Sequence, residues 1–499
     1  MIALQLLTAA PLQAQLPTLG DGADMSANAE RRIGDNIARQ IYRDPDYTDD
    51  PVLMDYVRGI WQRLMQAARL RGELSPELEQ IFAWEVVLDR DRSVNAFALP
   101  GGYMGVNLGL LAVVTSEDEL ASVMAHELSH ITQRHIARLT GQSDKQGPLL
   151  IAAMILGVLA ASRNPQAGTA MIAGGQAVAI QGQLNFSRDM EREADRVGYG
   201  VLTQADYAPE GFVTMFEKLQ QANRFNDLGG FPYLRSHPMT TARIADMQAR
   251  LQLLPPTAFS PALAHSLLAA RAQVLSHADT EGLRSAVNAA NNPQLGKLTL
   301  ARQTAVLYGA ALAALWQRDF ELAERFWGRL QTLLQNPLPH QVQAARLVRL
   351  LGAELSLAAT KPVQTLQRLE QRPGQAMAGE VARPELFLWS QAMTLQGKRE
   401  QASLAAQQLQ TWLARWPRDA QAWQLLSAAY QAQGLILSAV RAEAEGRAAQ
   451  LDFAAAVNRL KAAQDLMRRG SKIDHIEASI IDTRVREFEL RLREQMLQR

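Results

Sequence analysis

The sequence predicts an α+β protein, in which a mainly helical unit with a small β-sheet is followed by an all-α array. Three observations predict it. Strand-forming runs are confined to Phe82–Asn107, with helical periodicity around them. A Pro-containing stretch, Leu253 to Pro261, interrupts the pattern. Beyond it Ala, Leu, Gln and Arg dominate and strand signals vanish. The expected divisions are 1–17 for an apolar leader, 18–252 for the mixed unit and 258–499 for the array.

The leader, Met1 to Ala14, is apolar and ends in small residues. It resembles the h- and c-regions of a secretory signal peptide cut after Ala14, without the basic n-region, so a truncated signal and export are expected. The run Pro148 to Ala161 is shorter than the roughly 20 residues that span a bilayer. With Ala167 to Ile180 it reads as two buried or half-buried helices. The sharper alternative is an apolar flap, 148–180, that makes peripheral contact with membrane or unfolded substrate.

In the mixed unit, Phe82 to Leu88 and Asn95 to Leu99 are rich in β-formers, and Pro100-Gly101-Gly102 is turn chemistry. Tyr103 to Asn107 returns as a second strand, giving a hairpin that feeds a helix. Ser116 and Glu119 form a capping-box pair. Leu120, Val123, Met124, Leu128 and Ile131 then recur at helical spacing, which predicts a helix from Glu117 to about Leu139.

That helix carries His126-Glu127-Leu128-Ser129-His130. Residues i and i+4 lie only about 40° apart around a helix, so both imidazoles can meet one Zn²⁺. Glu127, about 100° away, cannot easily join them but can reach a water at the metal. That arrangement suits metal-assisted hydrolysis, with Glu127 as general base. A third ligand ten residues after His126 would have to be Ile136, so it must come from another helix. His135, nine residues after His126, falls about 180° away on a continuous helix and so is expected to face elsewhere, behind the ligands or at the surface. The third ligand is sought in Ser187 to Asp195. Glu191 and Asp195 share one face there, and Glu193 points about 200° round from Glu191. Glu191 as ligand and Asp195 as the carboxylate behind a ligand histidine form a consistent pair.

In the array, Trp389 and Trp423 are 34 residues apart. Setting each at the fourth position of a 34-residue unit places Ala405 and Ala439 at the twentieth, and Leu307, Ala311, Ala323 and Trp327 fit an earlier unit. The pattern resembles tetratricopeptide (TPR) repeats, degenerate at Met393. Stacked helix pairs of this kind present a concave face to a partner or substrate.

HExxH followed some sixty residues later by ExxAD resembles the zinc metalloprotease family of HtpX, BepA and the CAAX prenyl proteases. Asn95-Ala-Phe-Ala-Leu-Pro-Gly-Gly102 with Val106-Asn107 looks like that family's strand and turn before the metal helix. Ser236-His237-Pro238 with Arg243 looks like its downstream His-Pro-x4-Arg element. Gly105 departs from the bulky residue more often found there. The match covers roughly residues 30–250. With the TPR-like tail, the chain most resembles the BepA-like periplasmic members.

The resemblance implies a gluzincin-like fold and one Zn²⁺ per chain held by His126, His130 and Glu191. It implies Glu127 as base and Asp195 orienting a ligand histidine. It leaves His237 open between a fourth ligand, an oxyanion stabiliser and a packing residue. It also implies a periplasmic endopeptidase for unfolded or misassembled proteins, tied to the outer-membrane β-barrel assembly machinery through the array. The competing reading is a chaperone or assembly adaptor with a latent metal site. Composition adds exclusions. With no Cys among 499 residues, thiolate ligands and disulfides are ruled out. With 51 Lys+Arg against 50 Asp+Glu, no general attraction to nucleic acid is expected.

Overall fold

The computed structural model describes residues 25–141, 187–224, 231–252, 262–335, 337–369, 381–469 and 474–497. The leader 1–17, the apolar segment 148–180 and the junction 253–261 lie outside the described residues.

Two long helices open the mixed unit. In α1 (Ala27–Ile41) Ser26 caps the first turn and Ile33, Ile37 and Ile41 bury one stripe. In α2 (Pro51–Leu70) the Asp50 carboxylate accepts from the Leu53 N–H, with Pro51 at the first helical position. Its face of Leu53, Val57, Ile60, Trp61 and Leu64 is buried.

After the short α3 (Pro76–Ile81) comes the sheet. Its strands are β1 (Tyr47–Thr48), β2 (Glu85–Asp89), β3 (Ala96–Leu99) and β4 (Tyr103–Asn107), in the order β1-β2-β4-β3. The predicted hairpin is the antiparallel β3–β4 pair, and its turn uses positive φ at Gly101 (71°) and Gly102 (86°). Gly105 has a local reason. It lies opposite Phe97 in the pair, and a Cβ there would sit 2.1 Å from the Phe97 ring. The ring fills the space a bulkier residue would take. Gly105→Val should cost about 1–3 kcal/mol by overpacking. Adding Phe97→Ala should return part of that loss, a coupling measurable by urea unfolding; simple additivity of the two changes would refute it.

The chain continues through α4 (Leu108–Val113) into the motif helix α5 (Glu117–Thr132). Ser116 caps α5 by accepting from the Glu119 N–H. The Glu119 carboxylate reaches one residue further back than a capping box requires, to the Thr115 N–H.

The expected continuous helix to Leu139 is corrected here. Gln133 ends α5, Arg134 takes a left-handed conformation (φ 52°), and α6 (His135–Gly141) sets off anew. The Arg134 guanidinium is tied to the Glu30 carboxylate and the Met25 carbonyl on α1's side, which holds the break in place.

Among the described residues four further helices belong to the mixed unit: α7 (Arg188–Gln204), α8 (Glu210–Arg224), the one-turn α9 (Tyr233–Ser236) and α10 (Thr241–Leu251).

The array begins with α11 (Leu263–Ser276), which packs on α4 and α2. Later helices pair in sequence: α13 (Leu300–Trp316) with α14 (Phe320–Leu333), α17 (Arg383–Leu395) with α18 (Arg399–Arg415), and α19 (Ala420–Ala432) with α20 (Ile436–Ala449). Ala311, Ala323, Ala405 and Ala439, the small positions of the expected repeat, are buried, while the last two pairs start 37 residues apart, at 383 and 420. Trp389 is buried and Trp423 is half-buried, with its indole N–H donating to the Pro417 carbonyl.

The two parts share one apolar core, running from Leu53 and Ile60 of α2 through Leu267 and Leu307 to Trp389. Three array arginines seal the contact. Arg271 bridges Asp50 and Glu354, Arg346 bridges Asp55 and Glu385, and Arg383 bridges Asp49 and Asp419. Each thus pairs one carboxylate at the start of α2 with one in the array (α15, Val342–Ala358, supplies Glu354). Among the described residues no helix is long and apolar enough to cross a membrane.

Candidate metal centre

Helix α5 is buried on nearly every side, so its polar residues face protein, not water. His126, Glu127 and His130 are all at most 1% exposed. α7 packs along α5 and brings Glu191 and Asp195, one turn apart, against the two imidazoles. Close approach of these helices depends on Gly198, where a Cβ would lie 3.1–3.2 Å from the Ala125 and His126 backbone. Gly198→Val should therefore push α7 outward. A misplacement near 1 Å costs on the order of 10²-fold in rate, so any reaction at this site should slow by up to about that factor; an unchanged rate would show that the helix spacing is not critical.

The loop after α8 supplies the fourth group. His237, at the end of α9, is buried and its ring stacks on Tyr233 with centroids 4.4 Å apart. The structure thus brings His126, His130, Glu191 and His237 together, with one donor atom from each lying within 4.8 Å of the others. His126 Nε2 and His130 Nε2 are 3.0 Å apart, and His237 Nδ1 is 3.3 Å from His126 Nε2 and 2.9 Å from Glu191 Oε1.

Behind this cluster, His126 Nδ1 sits 3.0 Å from Asp195 Oδ1. Asp195 in turn accepts two hydrogen bonds from Arg243, at 2.6 and 2.8 Å. Arg243 also lies 2.7 Å from Glu191 Oε2 and donates to the Pro238 carbonyl. One guanidinium therefore ties the His237 loop to both carboxylates of α7, which gives the His-Pro-x4-Arg spacing a physical meaning. Glu127 stands on the other side: its Oε2 accepts the Ala98 N–H of edge strand β3 at 2.9 Å, and its Oε1 is 3.4 Å from His237 Nε2.

The structure brings together the six residues singled out in the sequence, and three further groups join them. Arg243 was noted only as part of a motif. The Ala98 N–H is a backbone group, invisible to any pattern of side chains. His135 is the third, and of its two expected places the structure gives the one behind the ligands. Facing elsewhere assumed an unbroken helix; with the turn at Arg134 it folds back, fully buried, and its Nδ1 lies 2.9 Å from His130 Nδ1.

The electrostatics describe a pocket built around positive charge. Burial opposes charge on His126, but the Asp195 and Glu191 carboxylates outweigh it and raise its pKa to about 9. Burial and the neighbouring His126 charge push His130 well below its ordinary value. Despite burial, His237 and His126 hold Glu191 well below the carboxylate range, and Arg243 and His126 lower Asp195.

A metal ion fits this donor set. Two imidazole nitrogens facing each other at 3.0 Å either share a proton or turn their lone pairs to one cation, and a metal ion satisfies both at once. The Glu127 Oε1 and Glu191 Oε2 atoms are buried and accept no hydrogen bond of standard geometry among the described residues. Nitrogen and carboxylate donors in this number suit Zn²⁺.

Residues 55–251 match peptidase family M48. The beta-barrel assembly-enhancing protease of Yersinia pestis is 28% identical over 481 residues, covering 95% of this chain and 92% of that protein. The Escherichia coli K12 protein of the same name is 30% identical over 321 residues, covering 64% of this chain and 62% of its own. A Vibrio cholerae relative, 33% identical over 312 residues, is likewise matched over 62% of its length, so these two are spanned over less than two thirds. The mitochondrial metalloendopeptidase OMA1 of Saccharomyces cerevisiae is 27% identical over 199 residues, 38% of this chain and 54% of that one.

Proposed function

We propose, from the premise that residues 55–251 are a peptidase family M48 metalloprotease domain, that the whole chain is a zinc endopeptidase whose helical array receives its substrates or partners. The observation that carries the reading is the convergence of His126, His130, Glu191 and His237 beside the Glu127 carboxylate. His126, His130 and Glu191 would hold one zinc per chain, with His237 as a further donor beside them. Bound zinc supplies Lewis acidity to the scissile carbonyl and to the attacking water.

The chain's own groups do the rest. Asp195 fixes His126 with its Nε2 toward the metal. His237, 3.4 Å from Glu127, would have to turn aside for a substrate carbonyl to reach the cluster. Glu127 accepts a proton from water as its oxygen adds to the carbonyl carbon, then passes that proton to the amine as the C–N bond breaks. An extended substrate adds along the outer edge of β3, where the Ala98 N–H already points at Glu127. Backbone pairing of this kind is independent of sequence and suits unfolded chains.

The names of the bacterial relatives support a role in β-barrel assembly. We therefore take the substrates to be misfolded or stalled outer-membrane proteins in the periplasm. The assembly machinery is the partner the array would engage.

Zinc content tests the ligand set. Single changes of His126, His130 or Glu191 to Ala should each reduce stoichiometric zinc to a small fraction, measured on the full chain by metal analysis after dialysis. Full retention by Glu191→Ala would remove it as the third ligand. The full chain is needed because the shared core would expose α2 and α4 if the array were deleted.

A further inference from the structure

His130 and His126 present the same nitrogen, Nε2, to the donor cluster. Each must then carry its proton on Nδ1. For His126 that proton meets a carboxylate at once, Asp195, which Arg243 holds. For His130, Nδ1 faces His135 Nδ1, 2.9 Å away. A contact between two ring nitrogens has one consistent proton assignment here. His130 donates, so His135 Nδ1 accepts and its own proton lies on Nε2. That nitrogen is 3.1 Å from Glu193 Oε2, an acceptor, which also takes a hydrogen bond from Arg138 at 2.8 Å. Both ligand imidazoles thus back onto a carboxylate–arginine pair, one directly and one through an interposed imidazole.

The backbone is bent to allow this. Arg134 holds a left-handed conformation that costs a non-glycine residue about 1 kcal/mol or more. Without that turn His135 would lie on the far side of α5. A strained residue directly before a fully buried imidazole that touches a ligand is a reason to look for function at that imidazole.

We infer that His135 is a positioning residue, which accepts the His130 Nδ1–H and is itself oriented by Glu193, so that His130 offers Nε2 to the metal in a fixed tautomer and ring plane. The inference rests on the zinc reading above and assigns work to three residues, His135, Glu193 and Arg138, that the reaction itself does not use.

The test compares two replacements of similar bulk in the full chain. His135→Phe keeps a ring but offers no acceptor. His135→Gln offers an amide oxygen to His130 and an amide N–H to Glu193. Zinc affinity is read by chelator competition, and ligand geometry by the visible spectrum of the Co²⁺-substituted protein. His135→Phe should weaken zinc binding by about 10–100-fold and alter the Co²⁺ spectrum. His135→Gln should return affinity to within a few-fold of wild type. Equal weakening in both variants would mean packing alone, and unchanged affinity in both would mean no role; either overturns the inference. Should the Phe variant fail to fold, Glu193→Ala serves, with a several-fold loss of zinc affinity expected and wild-type affinity as the contrary result. Lack of zinc in the wild-type chain would overturn the zinc reading as well, whereas wild-type zinc binding with insensitive variants overturns this inference alone.

Discussion

Replacing Glu127 by Gln should lower kcat for peptide hydrolysis by about 10²–10⁴-fold while zinc stays bound. The amide matches the carboxylate in shape and can still face the Ala98 N–H through its oxygen, so the edge strand and the α5 backbone have no reason to move. What disappears is the ability to take a proton. The carboxylate is fully buried and held by the Ala98 N–H, with His237 as its neighbour, and among the described residues the other two carboxylates of the site, Glu191 and Asp195, face elsewhere. Glu191 and Asp195 lie on the opposite helix, engaged by imidazoles and Arg243. Single-turnover cleavage of an unfolded protein, with zinc measured on the same sample, checks both halves of the prediction. Cleavage at the parent rate would remove Glu127 as the base.

The largest effect on stability is expected at Arg271. Its guanidinium is buried and makes two hydrogen bonds to Asp50, two to Glu354 and one to Tyr308. Removing it leaves two carboxylates facing each other with their counter-charge gone. Breaking a buried pair in this way costs about 3–5 kcal/mol. Arg271→Ala should lower the urea midpoint accordingly. Adding Glu354→Gln should recover part of the loss, because the repulsion then disappears. A midpoint within experimental error of the parent would mean that water replaces the guanidinium at this junction.

Much of the site was legible because its chemistry repeats at helical intervals. His126 and His130, and Glu191 and Asp195, are each one turn apart, and a periodic pattern survives without coordinates. The hairpin was legible from Pro100-Gly101-Gly102, where only glycine accepts the required backbone. His135 was not, since a helical wheel presumes a continuous helix and nothing about Arg134 in the sequence announces a left-handed turn. The turn is fixed by partners about a hundred residues away, Glu30 and Met25. The union of the array with α2 was hidden for a similar reason. Asp49, Asp50 and Asp55 look like an ordinary solvated helix start, and their arginine partners are more than two hundred residues downstream.

Those three arginines have a mechanical consequence. They come from successive parts of the array, α11, α15 and α17, yet all end within seven residues at the head of one helix. A sliding or hinging of the array could not release one contact and strain the next little by little, because the three acceptors move together on a single rigid rod. Separation of the two parts would be cooperative, with a threshold: small loads from a bound partner would be borne without displacement, and only a load sufficient to break all three contacts together would part them.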